Sequence, residues 1–430
     1  MKIAIDGFNT GYLQGTGIAT HAHELAKLLH KSGHSVYSIY GLTDSVTPER
    51  FARRLMTRGE VGRKNVAAWL PWALRHLPRH LAGKALQLDE MPLGRLGPAA
   101  VGRFPFTNRV FNAPALFRTA QFYAGFSHWP LDVALPPDAR PDLFHLTLPL
   151  PLRMTGIPNI VTLHDVIPLA LPGSTDVNLW LYRKIMEMSL ASADLIFAVS
   201  ESAKRDAMRI LGIGEEKIHV TYQAVDIDAS YREKTKEEGA AFLDKNYGLK
   251  PGSYFLFYGA VEPKKNVLRL LQAMEGAQTS LPLLIVGRNA WLSQDVDDFL
   301  ARQDKTGAGR FRRLPYVPHE TLMFLLKGAR ALLFPSLYEG FGLPVLEAMS
   351  MGTPVVTSRC GALAEVGGNA AQYIDPYDIS DIAAGIDRLA SDDAYVAELV
   401  GRGHAQAAKF SPSNYLERME KGYARVMRQG

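Results

Sequence analysis

Short apolar runs alternate with amphipathic helical stretches twice along this chain, and that alternation constrains its fold more than any other feature. Residues 2–6 read as a buried strand. Ile18, Ala22, Leu25, Leu28 and Leu29 then recur at helical spacing, Gly33 stops the helix, and residues 35–40 read as the next strand. Further strands are expected at 142–146, 159–163, 195–199 and 217–221, with helices over 176–192 and 201–211. A run dense in Lys and Glu over 232–245 and the turn Lys250-Pro251-Gly252 interrupt the series. It then starts again, with strands at 254–258, 283–286, 331–334, 354–357 and 372–374 and helices at 266–276, 294–303, 319–328, 343–351 and 380–390. Apolar strands separated by helices make parallel sheets covered on both faces. The expected class is therefore α/β: two doubly wound Rossmann-like domains, 1–225 and 226–410, facing across a cleft. A last helix within 411–430 is expected to return to the first domain through Tyr415, Met419, Tyr423 and Val426. Ligands of such sheets bind beyond the carboxyl ends of the strands, which places a site in the cleft.

Composition narrows the function class. With 47% apolar and 21% charged residues, a chain of 430 residues is globular rather than disordered or fibrous. No run of apolar residues is long enough to span a bilayer. The opening Met-Lys-Ile-Ala-Ile-Asp reads as a core strand, not a leader. Cys360 is the single cysteine, so no internal disulfide forms and a reducing, cytoplasmic compartment is expected. Charge is uneven. The net formal charge is +5, yet residues 50–140 hold 14 Lys and Arg against 5 Asp and Glu. Arg50, Arg53, Arg54, Arg58, Arg63 and Lys64 carry much of the excess, and Trp69, Trp72, Phe104 and Phe106 interleave with it. Such a segment suits nucleic acid, an anionic membrane face or a polyanionic substrate; equally, its arginines are solvated and its aromatics packed inside.

Two regions carry chemistry. The loop after the first strand holds Gly7, Gly11, Gly15 and Gly17. Gly15-Thr16-Gly17-Ile18-Ala19-Thr20 lacks the third glycine of a dinucleotide fingerprint, so a nicotinamide or flavin site is not expected. What remains is a small-residue loop at a helix start, where bare amides favour anions or acceptor oxygens. The denser signal runs from Phe334 to Val356. A strand ends near Phe334, a loop carries Glu339, and Pro344 opens a helix that Gly352 stops. Glu347 is expected in the first helical turn, beside the free amides of Gly342 and Leu343, which with the helix dipole would hold a phosphate.

The run Glu339–Glu347, two glutamates within Ser-x-Tyr-Glu-Gly-Phe-Gly-Leu-Pro-x-Leu-Glu-Ala-Met, closely resembles the signature of retaining glycosyltransferases of family 4, with the GT-B fold. Tyr258–Asn266 resembles that family's diphosphate loop, Thr162–Leu169 its sugar-side His-Asp segment, and Ser358–Pro376, with Gly361 and Glu365, the segment after the glutamates. Residues 50–140 carry no family motif. The resemblance implies roles residue by residue. Glu347 would bind the donor ribose and Glu339 the hydroxyls of the transferred sugar. Gly342 and Leu343 would give amides to the pyrophosphate, Lys265 would neutralise the leaving diphosphate, and His164 would lie beside the anomeric carbon. Gly17, Lys264 and Arg288 are further donor-binding candidates. Breaking a glycosyl–phosphate bond builds anion on the diphosphate and cation on the sugar, so fixed donors and a fixed cation are what the chemistry needs.

One departure stands out: many members carry Arg after the loop glycine, where this chain has Ala260, leaving Lys265, Lys264 or Arg288 to carry that charge. The triplets Asp226-Ile227-Asp228 and Asp295-Val296-Asp297 are too short to imply a metal, and no cofactor beyond the substrate is expected. The resemblance is greatest to bacterial mannosyl- or deoxyhexosyltransferases that use GDP-sugars in polysaccharide or lipopolysaccharide assembly. It implies a polyprenyl-diphosphate-linked glycan acceptor, and hence a peripheral enzyme at an anionic inner-membrane face, with no nucleic acid bound. The rival classes are a non-catalytic nucleotide-sugar-binding protein and a nucleic-acid-binding protein using the basic segment.

Overall fold

A computed structural model describes residues 1–9, 17–43, 47–57, 66–96, 98–227, 236–306, 309–314 and 317–428. Gly11, Gly15, Arg58, Arg63, Lys64 and Asp228 lie outside the described residues, as does the side chain of Arg54. The strands sort into two large sheets. The first holds eight strands in the order 218–220, 195–198, 159–163, 143–146, 2–6, 35–40, 109–112 and 89–90, parallel except for the last pair. The second holds six parallel strands, ordered 311–314, 283–286, 255–258, 331–334, 355–357 and 372–373. In each, the first strand lies inside the sheet and the chain winds away from it in both directions. The switch points fall between 2–6 and 143–146, and between 255–258 and 331–334. Ligand crevices open there in doubly wound sheets.

The last helix, Pro412–Met427, packs on the first sheet. Tyr415, Met419, Tyr423 and Val426 are buried in one cluster with Ile3, Ile5, Leu25 and Leu29. Tyr423 is fully buried, and its hydroxyl reaches His145 Nδ1 at 2.7 Å, so the one polar atom that burial would strand is satisfied.

The basic segment is built into the first domain. Among the described residues its α-helices are Pro48–Thr57, Val66–Leu81, Pro98–Val101 and Leu116–Ala124. Strands 109–112 and 89–90 extend the main sheet, and 86–87 and 131–134 join 152–154 in a small sheet of their own. Phe51, Phe104 and Tyr40 share a buried cluster, and Phe111 and Phe117 are fully buried. Trp69 and Trp72 pack half-buried against the main core, and Phe106 meets His23 edge-on and His30 at a tilt. Of the aromatics interleaved with the basic run, Phe104 is buried and Trp69, Trp72 and Phe106 are partly buried, so packing inside the domain accounts for Phe104 in full and for the other three in part.

Candidate active site

At the switch point of the second sheet, two loops leave adjacent strands side by side. Leu337 N donates to Lys264 O at 2.7 Å and joins them. Asn266 sits in the left-handed region at φ 60° and donates from Nδ2 to Pro335 O and Pro376 O, pinning the end of the first loop. The backbone of Arg288 lies against the same loop, since Val261 N donates to Arg288 O at 2.9 Å; its side chain is exposed. Gly287, at φ 148°, permits this approach, because a Cβ there would fall 1.9 Å from Gly259 O.

The outcome is a buried ion pair. Lys265 Nζ donates to Glu339 Oε1 at 2.6 Å and lies 4.8 Å from the centre of the Phe334 ring. Burial alone would push the Glu339 carboxyl up, but Lys265 and Lys264 outweigh it and hold the group below its ordinary range. Burial likewise opposes charge on Lys264, and Glu339, Asp165 and Glu262 outweigh it, raising that ammonium above its ordinary value. The segment after the glutamates braces this arrangement. Ala362 N donates to Glu339 O at 3.0 Å, and Gly361, at φ 61°, leaves no room for a Cβ, which would fall 2.4 Å from the same oxygen.

Gly342, at φ 106°, caps the helix Leu343–Ser350. Among the described residues the amides of Gly342 and Leu343 have no acceptor, while Pro344 has no N–H to offer. Glu347 departs from the sequence expectation. It is the fifth residue of the helix, not in the first turn, and its carboxylate accepts a short hydrogen bond from the Tyr258 hydroxyl. The cause is helical geometry: an eight-residue helix turns its fifth side chain back over the start, onto the end of the central strand. Burial pushes the Glu347 carboxyl up to about 7, and the Tyr258 bond only partly offsets this.

The first domain faces this site through His164 and Asp165, at the carboxyl end of strand 159–163. The two domains meet at Gly340, where a Cβ would fall 2.3 Å from His164 O. The His164 ring itself is turned inward. Nε2 lies 2.8 Å from Thr147 O and Nδ1 lies 2.9 Å from Gln223 Nε2. A carbonyl only accepts, so Nε2 carries the proton and Nδ1 accepts from the amide. Burial lowers the pKa of this imidazole, leaving it neutral near pH 7. Gly17 begins the helix Gly17–Lys31, and a Cβ on it would lie 3.7 Å from Leu343 Cδ1 across the cleft. A cavity of about 450 Å³ opens between the domains, lined by Asn9, His21, Gln223, His319, Leu343 and Glu347 among others.

Two family models match this chain: one described as Glycosyl transferases group 1 over residues 242–405, and one described as Glycosyltransferase Family 4 over residues 95–229. The O-antigen chain mannosyltransferase B of Escherichia coli is 36% identical over 262 residues, covering 59% of this chain and 67% of that protein. The chain belongs to glycosyltransferase family 4. The serotype-specific mannosyltransferase WbdA of Escherichia coli is 27% identical over 65% of this chain, a match that spans 35% of WbdA. The solved structure of Anabaena HepE in complex with UDP and glucose shares the fold at 15% identity, with a TM-score of 0.65 over 99% of this chain and 100% of that one. The two-sheet architecture is thus the GT-B fold, and the enzyme class is glycosyltransferase.

In this glycosyltransferase one aspartate of each triplet is held in an ion pair. Asp226 pairs with Lys27 at 2.7 Å, and Asp297 pairs with Arg313 at 2.7 Å. Among the described residues no group of three His, Cys, Asp or Glu side chains converges as a metal site. Sequence reasoning missed Tyr258, Thr147 and Gln223. Tyr258 stood inside the quoted diphosphate-loop motif and was readable only as a strand end. Thr147 acts through its backbone, and nothing in the sequence pairs Gln223 with a residue 59 positions away.

Proposed function

We propose that this enzyme transfers a mannosyl residue, or a related deoxyhexosyl residue, from a GDP-sugar to a growing glycan in polysaccharide assembly, with retention of anomeric configuration. The observation that carries the reading is the buried Lys265–Glu339 pair beside the free amides of Gly342 and Leu343. On this reading the donor diphosphate lies at that helix start, with Lys265 and Lys264 as its cations in place of the arginine that Ala260 lacks. Glu347 holds the ribose hydroxyls, and Glu339 orients the transferred sugar against the backbone of His164. The departing phosphate oxygen takes the proton of the acceptor hydroxyl, which forms the new glycosidic bond on the face the diphosphate leaves. Support for mannose and for polysaccharide comes from the names of the relatives in Escherichia coli and of RfbU in Salmonella typhimurium. No metal enters the scheme, because the two lysines and the helix amides supply the positive charge.

The acceptor on this reading is a polyprenyl-diphosphate-linked glycan at the cytoplasmic membrane face. Among the described residues no helix is long and apolar enough to cross a membrane, so the enzyme reaches that surface from outside it. The support is a patch other than the one expected from sequence. Leu81, Phe126, Trp129 and Trp180 are 57, 45, 42 and 61% exposed. They connect through Lys184, which donates to Gly125 O and lies 5.1 Å from the Trp180 ring centre, and through His80, which stacks on Tyr123 and lies tilted against Trp129.

The deciding test is a thermal-shift and turnover screen of nucleoside diphosphates and nucleotide sugars. GDP should stabilise the protein more than UDP at equal concentration, and GDP-mannose should support transfer to a lipid-linked glycan. Stabilisation by UDP alone removes the donor assignment, and binding without turnover on any acceptor makes this a nucleotide-sugar-binding protein.

A further inference from the structure

Gln223 lies in the crossover segment that leaves the first sheet after strand 218–220, and its side chain is buried. Its amide nitrogen is 2.9 Å from His164 Nδ1. On the other edge of the ring, Nε2 faces Thr147 O, and the amide of Thr147 in turn donates to the Asp6 carboxylate. The imidazole is thus gripped by an acceptor at Nε2 and a donor at Nδ1. Only the neutral Nε2–H tautomer satisfies both. We propose that Gln223 is a positioning residue that keeps His164 in this neutral tautomer through the transfer reaction. The proposal rests on the placement of His164 beside the transferred sugar.

The physical reason is charge. The sugar gains positive character as its bond to phosphate breaks, and an imidazolium beside it would repel that charge in a site sheltered from water. The other groups around the ring are His21, 4.9 Å away from the helix 17–31, and His145 on strand 143–146. Asp165 adjoins it in sequence, Asp6 acts through Thr147, and Tyr415 lies behind His21. His21 and His145 are themselves kept neutral by burial, and what favours a proton on His164 is the Thr147 carbonyl, whose own amide donates to Asp6, together with Asp165. Asp6 is restrained in this, since burial raises its own carboxyl to about 6. The amide of Gln223 occupies the one nitrogen at which a second proton could add.

The test compares Gln223→Glu and Gln223→Met in the full-length chain. A carboxylate at 223 accepts from Nδ1–H and should convert His164 to imidazolium near pH 7, read directly from the ring ¹⁵N shifts. Turnover should fall about 10- to 100-fold with donor KM changed less than twofold, and activity should recover as pH rises through the new His164 pKa. The methionine variant keeps the volume and removes the hydrogen bond; Thr147 O still holds the proton on Nε2, so its ring should stay the Nε2–H tautomer with a shifted Nδ1 resonance, and the loss of turnover should be smaller and independent of pH. A wild-type ¹⁵N pattern in Gln223→Glu, or unchanged turnover in both folded variants, overturns the proposal. If the wild-type enzyme itself turns over no nucleotide sugar, the transferase reading fails, while the ¹⁵N spectra still decide whether Gln223 keeps His164 neutral.

Discussion

Lys265 Nζ and Glu339 Oε1 lie 2.6 Å apart, so the cation assigned to the leaving diphosphate and the carboxylate assigned to the sugar neutralise one another. Each side chain is about nine-tenths buried, and neither would be tolerated there as a lone charge. Donor binding gives Lys265 a second anion and leaves Glu339 facing hydroxyls. Replacing Lys265 with Met should therefore lower kcat by about 10²–10³, roughly 3–4 kcal/mol of lost transition-state stabilisation. It should also raise the Glu339 pKa, since the counter-charge bonded directly to that carboxylate is gone. Steady-state rates and a carboxyl titration measure the two effects. A rate within twofold of wild type transfers the role to Lys264.

Glu347 makes the opposite case, a carboxyl that burial has pushed up to about 7. Its folded pKa lies above its unfolded one, so between roughly pH 4.5 and 7 the folded state holds more protons and stability falls as pH rises. Ribose hydroxyls are held best by the carboxylate, so donor binding pulls that pKa down. Nucleoside diphosphate binding near pH 6.5 should accordingly release a fraction of a proton, measurable by calorimetry in buffers of different ionisation enthalpy. Glu347→Gln should abolish the release and weaken nucleotide binding by about 1.5–3 kcal/mol. Glu339→Gln should leave nucleotide binding intact and impair transfer. Tyr258→Phe removes the bond that lowers the Glu347 pKa and should move the proton release to higher pH. The reverse pattern between the two glutamates would falsify both assignments.

How far the site could be read from sequence follows from the range of the contacts. The glutamate block, its helix start and the lysine loop are each local, and periodicity plus Gly and Pro placement locate them. Their meeting is a tertiary fact, yet the switch-point rule brings strands 255–258 and 331–334 together from their order alone. Glu347 was misplaced by one residue, as the fourth of the helix rather than the fifth, because the helix starts at Leu343 behind Gly342 and not at Pro344. The basic segment was opaque for another reason. Strands such as 86–87 and 89–90 are two residues long, too short for any period, and they exist only because a neighbouring strand supplies their partners.

Glu365 joins the domains in a way its motif did not suggest. Its two carboxylate oxygens accept from Glu201 N at 2.8 Å and Ser202 N at 2.7 Å, capping the helix Glu201–Leu211 of the facing domain. Ser200 Oγ donates to Gly340 O at 2.7 Å beside it, and the Tyr338 hydroxyl donates to Asp206. A carboxylate at a helix N-terminus contributes about 0.5–2 kcal/mol. Spending that on a contact between domains favours the closed cleft by up to about 30-fold. Glu365→Ala should enlarge the radius of gyration in small-angle scattering and raise the acceptor KM, with kcat at saturation little changed. A scattering curve identical to wild type means that Ser200 and Tyr338 hold the cleft without it.

The exposed apolar patch carries the last prediction. Phe126, Trp129 and Trp180 are exposed, Lys184 lies over the Trp180 ring and bonds Gly125 O beside Phe126, and Arg75 and Arg79 are exposed on the helix Val66–Leu81. Amphipathic rings settle at the membrane interface, and each basic side chain near an anionic surface adds about 1 kcal/mol. This predicts binding that needs both forces. Flotation with vesicles containing anionic lipid should carry the enzyme upward, and the bound fraction should fall as salt rises through the range where the screening length shrinks to about 10 Å and below. Arg75→Gln with Arg79→Gln should remove most of the salt-sensitive part. Trp129→Ser with Trp180→Ser should reduce binding at every salt concentration. Phe104 is already buried, so a conservative Phe104→Leu change should leave flotation untouched. If the arginine and tryptophan variants float like wild type, or if zwitterionic vesicles bind equally well, this face is not the membrane contact, and the donor site stands unaffected.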